Sequence, residues 1–177
     1  RTYPENSLAS NILGFYKYRD REASTGYFGV EENYNDLLAG NPVKITIPKV
    51  PILMQDVPSV PPGSSLVLTI DREIQAMVER IIDQAVEANG AQSGTAIVMD
   101  PTNGEILAMA VTPRLNPNEY WTYEDVFTDD TPFNRALSGV YEPGSVFKVI
   151  TMADALDSGT VTPQTQFVDT GSIYVGG

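Results

Sequence analysis

The chain has 177 residues, 42% of them hydrophobic, which suits one modest core or two small ones. Its 11 basic and 23 acidic residues leave a net charge of -12, which excludes an extended phosphate-backbone interface, so no nucleic-acid partner is expected. There is no cysteine and no histidine, which rules out disulfide scaffolds, thiolate zinc sites, cysteine nucleophiles and Ser-His-Asp triads, and leaves any chemistry to Ser, Thr, Tyr, Lys, Asp and Glu with no metal or other cofactor expected.

No apolar run approaches the roughly 20 residues that a spanning helix needs, and no signal-like segment is visible. The chain opens on Arg1-Thr2-Tyr3-Pro4 and closes on Tyr174-Val175-Gly176-Gly177, which reads as a fragment of a longer chain. In chain order, residues 8–15 suit a short helix or strand, and residues 31–38 a helix ended at Gly40. Residues 44–49 alternate as Lys-Ile-Thr-Ile-Pro-Lys, an edge-strand pattern. Pro48, Pro51, Pro58, Pro61 and Pro62 then predict an extended linker, because proline blocks helix and central strand alike. Charge shifts at the same place: residues 1–62 hold 6 basic and 7 acidic side chains, residues 63–177 hold 5 and 16. Two modules are expected, 1–62 and 63–177.

The second module has sharper patterns. Residues 65–70 form a β-rich run, and Asp71 offers a helix N-cap. Ile74, Met77, Val78, Ile81, Ile82, Ala85 and Val86 then follow helical spacing as one apolar stripe, closed by Asn89-Gly90. Strands are expected over residues 95–99 and 105–111, joined by the turn Asp100-Pro101-Thr102-Asn103-Gly104. A helix followed by an antiparallel hairpin predicts an α+β arrangement. Residues 112–132, rich in Pro, Asn, Asp and aromatics, are expected to wander irregularly over the surface.

Tyr141-Glu142-Pro143-Gly144-Ser145-Val146-Phe147-Lys148 is the segment with the clearest chemical content. Pro143-Gly144 breaks the chain, and residues 146–156 then read as a helix with Val149, Met152, Ala153 and Leu156 on one side. Ser145 at the start and Lys148 three residues on fall on one face, about 4.5 Å apart along the axis. A serine hydroxyl needs a base to become a nucleophile, and a lysine serves if burial or a helix N-terminus drives off its proton. Ser145 as nucleophile and Lys148 as base suit acyl transfer, with Lys148 expected to point toward Ser145. The bland alternative is a serine cap followed by a solvated lysine. Among other candidates, Glu124, Asp125, Asp129 and Asp130 lack calcium-loop spacing, and the Gly26–Gly29 pair has no phosphate-loop signature. Tyr120, Trp121 and Tyr123 suit a loop packed onto the body better than a stacking platform.

Several stretches, taken in order, resemble the class B penicillin-binding proteins, the peptidoglycan D,D-transpeptidases. Arg1-Thr2-Tyr3-Pro4 is similar to an element of that family's non-catalytic pedestal. So is Gly26-Tyr27-Phe28-Gly29-Val30-Glu31, followed by Tyr34, Leu38 and Gly40, although Val43 stands where a second glycine is common. Leu68-Thr69-Ile70-Asp71 with Gln75 resembles the start of the transpeptidase domain, and residues 94–110 its first hairpin. Asn134-Arg135-Ala136 and Pro143-Gly144-Ser145-Val146-Phe147-Lys148 complete the run, the last carrying the family's Ser-x-x-Lys.

The resemblance implies a pedestal part over 1–62 and the N-terminal portion of a serine-lysine penicillin-binding, β-lactamase-like domain over 63–177, with an incomplete sheet. It implies Ser145 as the acylated nucleophile and Lys148 as general base. Peptidoglycan stem peptides would be substrates and β-lactam antibiotics would acylate the same serine. Cell-wall synthesis proteins would meet the pedestal, and an N-terminal helix would anchor the protein at the extracytoplasmic face of the membrane. The family's Ser-x-Asn and Lys-(Ser/Thr)-Gly occur nowhere in these 177 residues. The chain alone is therefore expected to be a poor enzyme, and to self-associate through the unpaired edge of its hairpin. A non-catalytic scaffold or β-lactam sensor of the same fold is the competing reading.

Overall fold

The computed structural model describes residues 2–17, 24–40, 61–129 and 131–172, and the chain divides into two compact units, Arg1–Gly139 and Val140–Gly177. In the first unit a single turn, α1 (Ser10–Leu13), leads through Gly14 into β1 (Phe15–Lys17), which pairs antiparallel with β2 (Thr25–Tyr27), Phe15 opposite Tyr27. The helix expected over 31–38 is two short ones, α2 (Gly29–Asn33) and α3 (Asn35–Ala39), parted at Tyr34 and ended at Gly40, whose φ is 65°. The break has a use: the Asn35 side chain accepts the Gly26 N–H at 3.0 Å. Backbone meets backbone closely here. A Cβ at Gly14 would stand 2.0 Å from Phe28 O, and one at Gly29 2.0 Å from Ile12 O, so both positions need glycine for space as well as for positive φ.

The core is aromatic. Phe15 sits among Tyr27, Phe28, Tyr120, Tyr123 and Phe133, with Phe28 stacked on Phe133 at 4.4 Å between ring centroids. Leu115, Phe127 and Phe133 are buried with it. The stretch 112–132 is therefore no surface excursion. It folds as a 3₁₀ segment (Pro117–Thr122) and α5 (Tyr123–Val126), and its rings supply apolar surface that residues 2–40 are too few to supply themselves. Tyr120 and Tyr123 face this core, while Trp121 remains 69% exposed. Asn118 ties the N-terminal segment down, accepting Tyr3 N–H at 3.0 Å and donating to Tyr3 O at 2.8 Å. The division expected at 62/63 falls inside this compact unit, and as an organisation of a longer protein it remains a proposal. The edge strand expected at 44–49 and most of the proline-rich linker lie outside the described residues.

The helix capped by Asp71 is α4 (Arg72–Asn89). The Asp71 carboxylate accepts the Glu73 and Ile74 N–H groups, each at 2.9 Å, and Gly90 closes the helix in the left-handed region. It packs on the antiparallel hairpin β3 (Gly94–Met99) and β4 (Ile106–Thr112), which pairs Ala96 with Ala110 and carries a bulge at Val98/Met99. The packing is close because the facing residues are small. Ala108 and Ala110 are fully buried, and a Cβ at Gly94 would come within 2.7 Å of Val86 Cγ2. The stripe expected on α4 is only half right. Met77 and Ile81 are exposed, and the most buried positions are polar, Gln75 and Glu79. Residues 65–70 form no ladder. Among the described residues of this stretch and the cap after it, the Thr69 side chain, bonded to Ile106 O, and the Asp71 N–H, bonded to Leu107 O, reach β4. The short α6 (Arg135–Ser138), capped by Asn134, ends the unit. Helices packed on small antiparallel sheets make the fold α+β, as the sequence predicts.

Candidate active site

The second unit holds the Ser-x-x-Lys segment. Gly144 has a φ of 53°, and a Cβ there would meet nothing within 4 Å, so glycine is required for the turn and not for room. The turn opens a 3₁₀ segment (Gly144–Phe147) that continues directly into α7 (Lys148–Asp157). The Val146 N–H bonds Pro143 O at 3.1 Å, and the Lys148 N–H closes back on Ser145 O. A helix does start here, as predicted, but its first turn is tighter than α. Side chains three apart eclipse in 3₁₀ geometry, which puts Ser145 and Lys148 in line with a rise of about 6 Å.

The orientation expected for Lys148 is not met. Ser145 and Lys148 are both exposed, and among the described residues no hydrogen bond joins them and no acidic group pairs with Lys148. The physical reason is that one ten-residue helix has nothing of its own to bury against: Val149, Ile150 and Met152 are each more than half exposed, and Leu156 is 41% exposed. Of the bland alternative, the solvated lysine is met and the serine cap is not, because neither the 3₁₀ segment nor α7 receives a side-chain cap. Ser145 is thus a hydroxyl with no hydrogen-bond partner among the described residues, in the first turn of a helical run that carries a primary amine three positions on. That pair offers a nucleophile and a proton acceptor.

The most buried residues of α4 are polar: Gln75, which the sequence offers only as part of a motif, and Glu79, which it does not single out. Gln75 and Glu79 lie one position after Ile74 and Val78, at i and i+4, so they share the inward face. That spacing was the available signal, hidden by the expectation that an inward face is apolar.

Comparison with known proteins bears on the segment directly. Residues 94–177 match the model of the penicillin binding protein transpeptidase domain. Over the whole chain the sequence is 32% identical to the penicillin-binding protein PbpB of Mycolicibacterium smegmatis and 33% identical to the stage V sporulation protein D of Bacillus subtilis, covering 27% of each. Over 91% of the chain it is 33% identical to the peptidoglycan D,D-transpeptidase FtsI of Escherichia coli, again covering 27% of that protein. The chain spans about a quarter of the length of these relatives. The crystal structure of a peptidoglycan synthetase from Bifidobacterium adolescentis superposes with a TM-score of 0.66 at 24% identity, covering 99% of this chain and 32% of that one, a likeness of fold. Residues 94–177, with Ser145 and Lys148 among them, thus match the penicillin binding protein transpeptidase domain, in line with the family resemblance of the sequence.

Proposed function

We propose that the chain is part of a peptidoglycan-cross-linking D,D-transpeptidase that works by serine acyl transfer. Ser145 Oγ attacks the carbonyl carbon of the penultimate D-Ala of a stem peptide. The new Oγ–C bond forms as the C–N bond to the terminal D-Ala breaks. Lys148, acting as a neutral amine, takes the hydroxyl proton and passes it to the departing amine. An amine of a neighbouring stem then attacks the ester, forming the cross-link and restoring the serine. β-Lactams, whose strained amide meets the same hydroxyl, acylate Ser145 and stop there. The observation that carries this reading is the Ser145-x-x-Lys148 spacing on the first turn of the helical run that becomes α7, within the stretch that matches the family.

The finer parts of the proposal follow from the same reading. The longer protein works at the extracytoplasmic face of the bacterial membrane, held by an N-terminal helix, and meets cell-wall synthesis proteins through residues 1–62 and what precedes them. The 177-residue chain by itself reacts slowly, because Lys148 is exposed and the Lys-(Ser/Thr)-Gly strand that would hold substrate and supply one oxyanion donor is not part of this sequence. Losing one such donor costs roughly 100- to 1000-fold in rate. The test is release of D-Ala from a D-Ala-D-Ala pentapeptide by the longer protein. Turnover that disappears in Ser145→Ala and falls steeply in Lys148→Ala is expected; turnover retained in Ser145→Ala would end the proposal.

A further inference from the structure

The inner face of α4 carries a polar chain that joins three separate parts of the first unit. Gln75, fully buried, does for β4 what a third strand would do. Its Oε1 accepts the Met109 N–H at 2.8 Å, and its Nε2 donates to Met109 O at 3.0 Å. The other Nε2 hydrogen goes to Glu79 Oε1 at 2.7 Å. That same oxygen accepts the backbone N–H of Ala9 at 2.8 Å, and Glu79 Oε2 lies 3.2 Å from Arg114 Nε. The contact with Arg114 is an ion pair without hydrogen-bond alignment, since Nε has no hydrogen-bond partner. Arg114 also donates to Val111 O at 3.0 Å and pairs with Asp83. Ala9 is itself unusual, a non-glycine residue at a φ of 54° that opens α1. Four hydrogen bonds, the central one between Gln75 and Glu79 buried and the others part-buried, therefore run from residue 9 to the middle of β4.

A carboxylate less than one-tenth exposed that serves as the common acceptor for two donors holds their mutual position, because little water is at hand to replace it when either donor moves. We propose that Glu79 is a positioning residue: its Oε1 locks the N-terminal segment around Ala9 to the edge of β4 through Gln75, so that a displacement of one is carried to the other. Ala9 lies outside the family-matched stretch and Met109 inside it, so the lock couples the N-terminal module to the first hairpin of the transpeptidase domain. The inference goes beyond the acyl-transfer proposal and stands without it.

Amide hydrogen exchange on the chain, read residue by residue, is the test. In Glu79→Ala the Ala9 amide loses its acceptor and Gln75 its anchor. Both the Ala9 and Met109 amides should then exchange about tenfold faster or more, with amides in the middle of α4 unchanged. Glu79→Gln keeps an oxygen at the shared position and should restore protection of both. Met109 protected as in the wild type while Ala9 alone opens would overturn the coupling. So would Glu79→Gln behaving like Glu79→Ala, since the Arg114 charge pair and not the shared oxygen would then be the determinant. If Glu79→Ala fails to fold, the wild type in low denaturant answers the same question: Ala9 and Met109 should open with one free energy and one denaturant slope, and two distinct openings would refute the lock.

Discussion

Arg114 and Glu79 form an ion pair with side chains about one-tenth exposed, and buried pairs respond asymmetrically to substitution. Removing one partner leaves a charge with no water and no counter-charge. Arg114→Ala should therefore destabilise the first unit by about 3–5 kcal/mol, read as a shift of the urea midpoint; a change under about 1 kcal/mol, the range of exposed pairs, would mean the pair is solvated in solution. Glycine offers a second comparison at this scale. Gly29 and Gly90 both have positive φ, but a Cβ at Gly29 would press on Ile12 O at 2.0 Å whereas one at Gly90 would meet open space. Gly90→Ala should cost about 1–2 kcal/mol, the left-handed penalty alone, and Gly29→Ala clearly more. Equal losses in a denaturant series would show that the α1–α2 approach is looser than described.

Among the elements, those fixed by local rules were legible and those fixed by distant partners were not. Asp71, Gly90 and the Asp100–Gly104 turn could be read from sequence because a cap or turn is decided by residues within one turn of it. The Tyr34 break was not, because it depends on Asn35 reaching Gly26 across the β1–β2 hairpin. The inward polar face of α4 was missed because Gln75 and Glu79 are satisfied by Met109 and Ala9, 34 and 70 positions away. The Ser145–Lys148 spacing was legible as local geometry, whereas the exposure of Lys148 was not, because burial is decided by distant packing. The hairpin turn gives a pH test. Asp100 accepts the Thr102 hydroxyl at 2.6 Å and the Thr102 N–H at 2.8 Å, and these bonds hold its carboxyl below the ordinary carboxylate value. A depressed folded value stabilises the turn at pH above the unfolded value of about 3.9, and that stabilisation fades as pH falls through the folded value. The Thr102 amide shift should titrate with a midpoint below the ordinary value, and lose that titration in Asp100→Asn. A midpoint at or above the ordinary value would contradict the bonding.

At the scale of the molecule, the described residues leave apolar surface that water does not favour. Ile97 and Met99 lie half-exposed on β3, whose outer edge has no strand partner among the described residues, and the α7 residues Val149, Ile150 and Met152 are open. An unpaired edge and an apolar face together promote strand addition between copies. A net charge of -12 opposes this, but screening within about 8–10 Å at moderate salt weakens the opposition. Sedimentation at micromolar concentration should show dimers or larger species that increase with salt; a clean monomer at all salt concentrations would mean the edge is protected within one chain.

The central claim is that Ser145 is the acylated nucleophile, and one measurement addresses it most directly: peptide mass mapping of the longer protein after brief exposure to a penicillin. A single adduct of the mass of the intact drug on the peptide containing Ser145, absent in Ser145→Ala and formed far more slowly in Lys148→Ala, is the expected result. An adduct on any other serine, or one that survives Ser145→Ala, would contradict it.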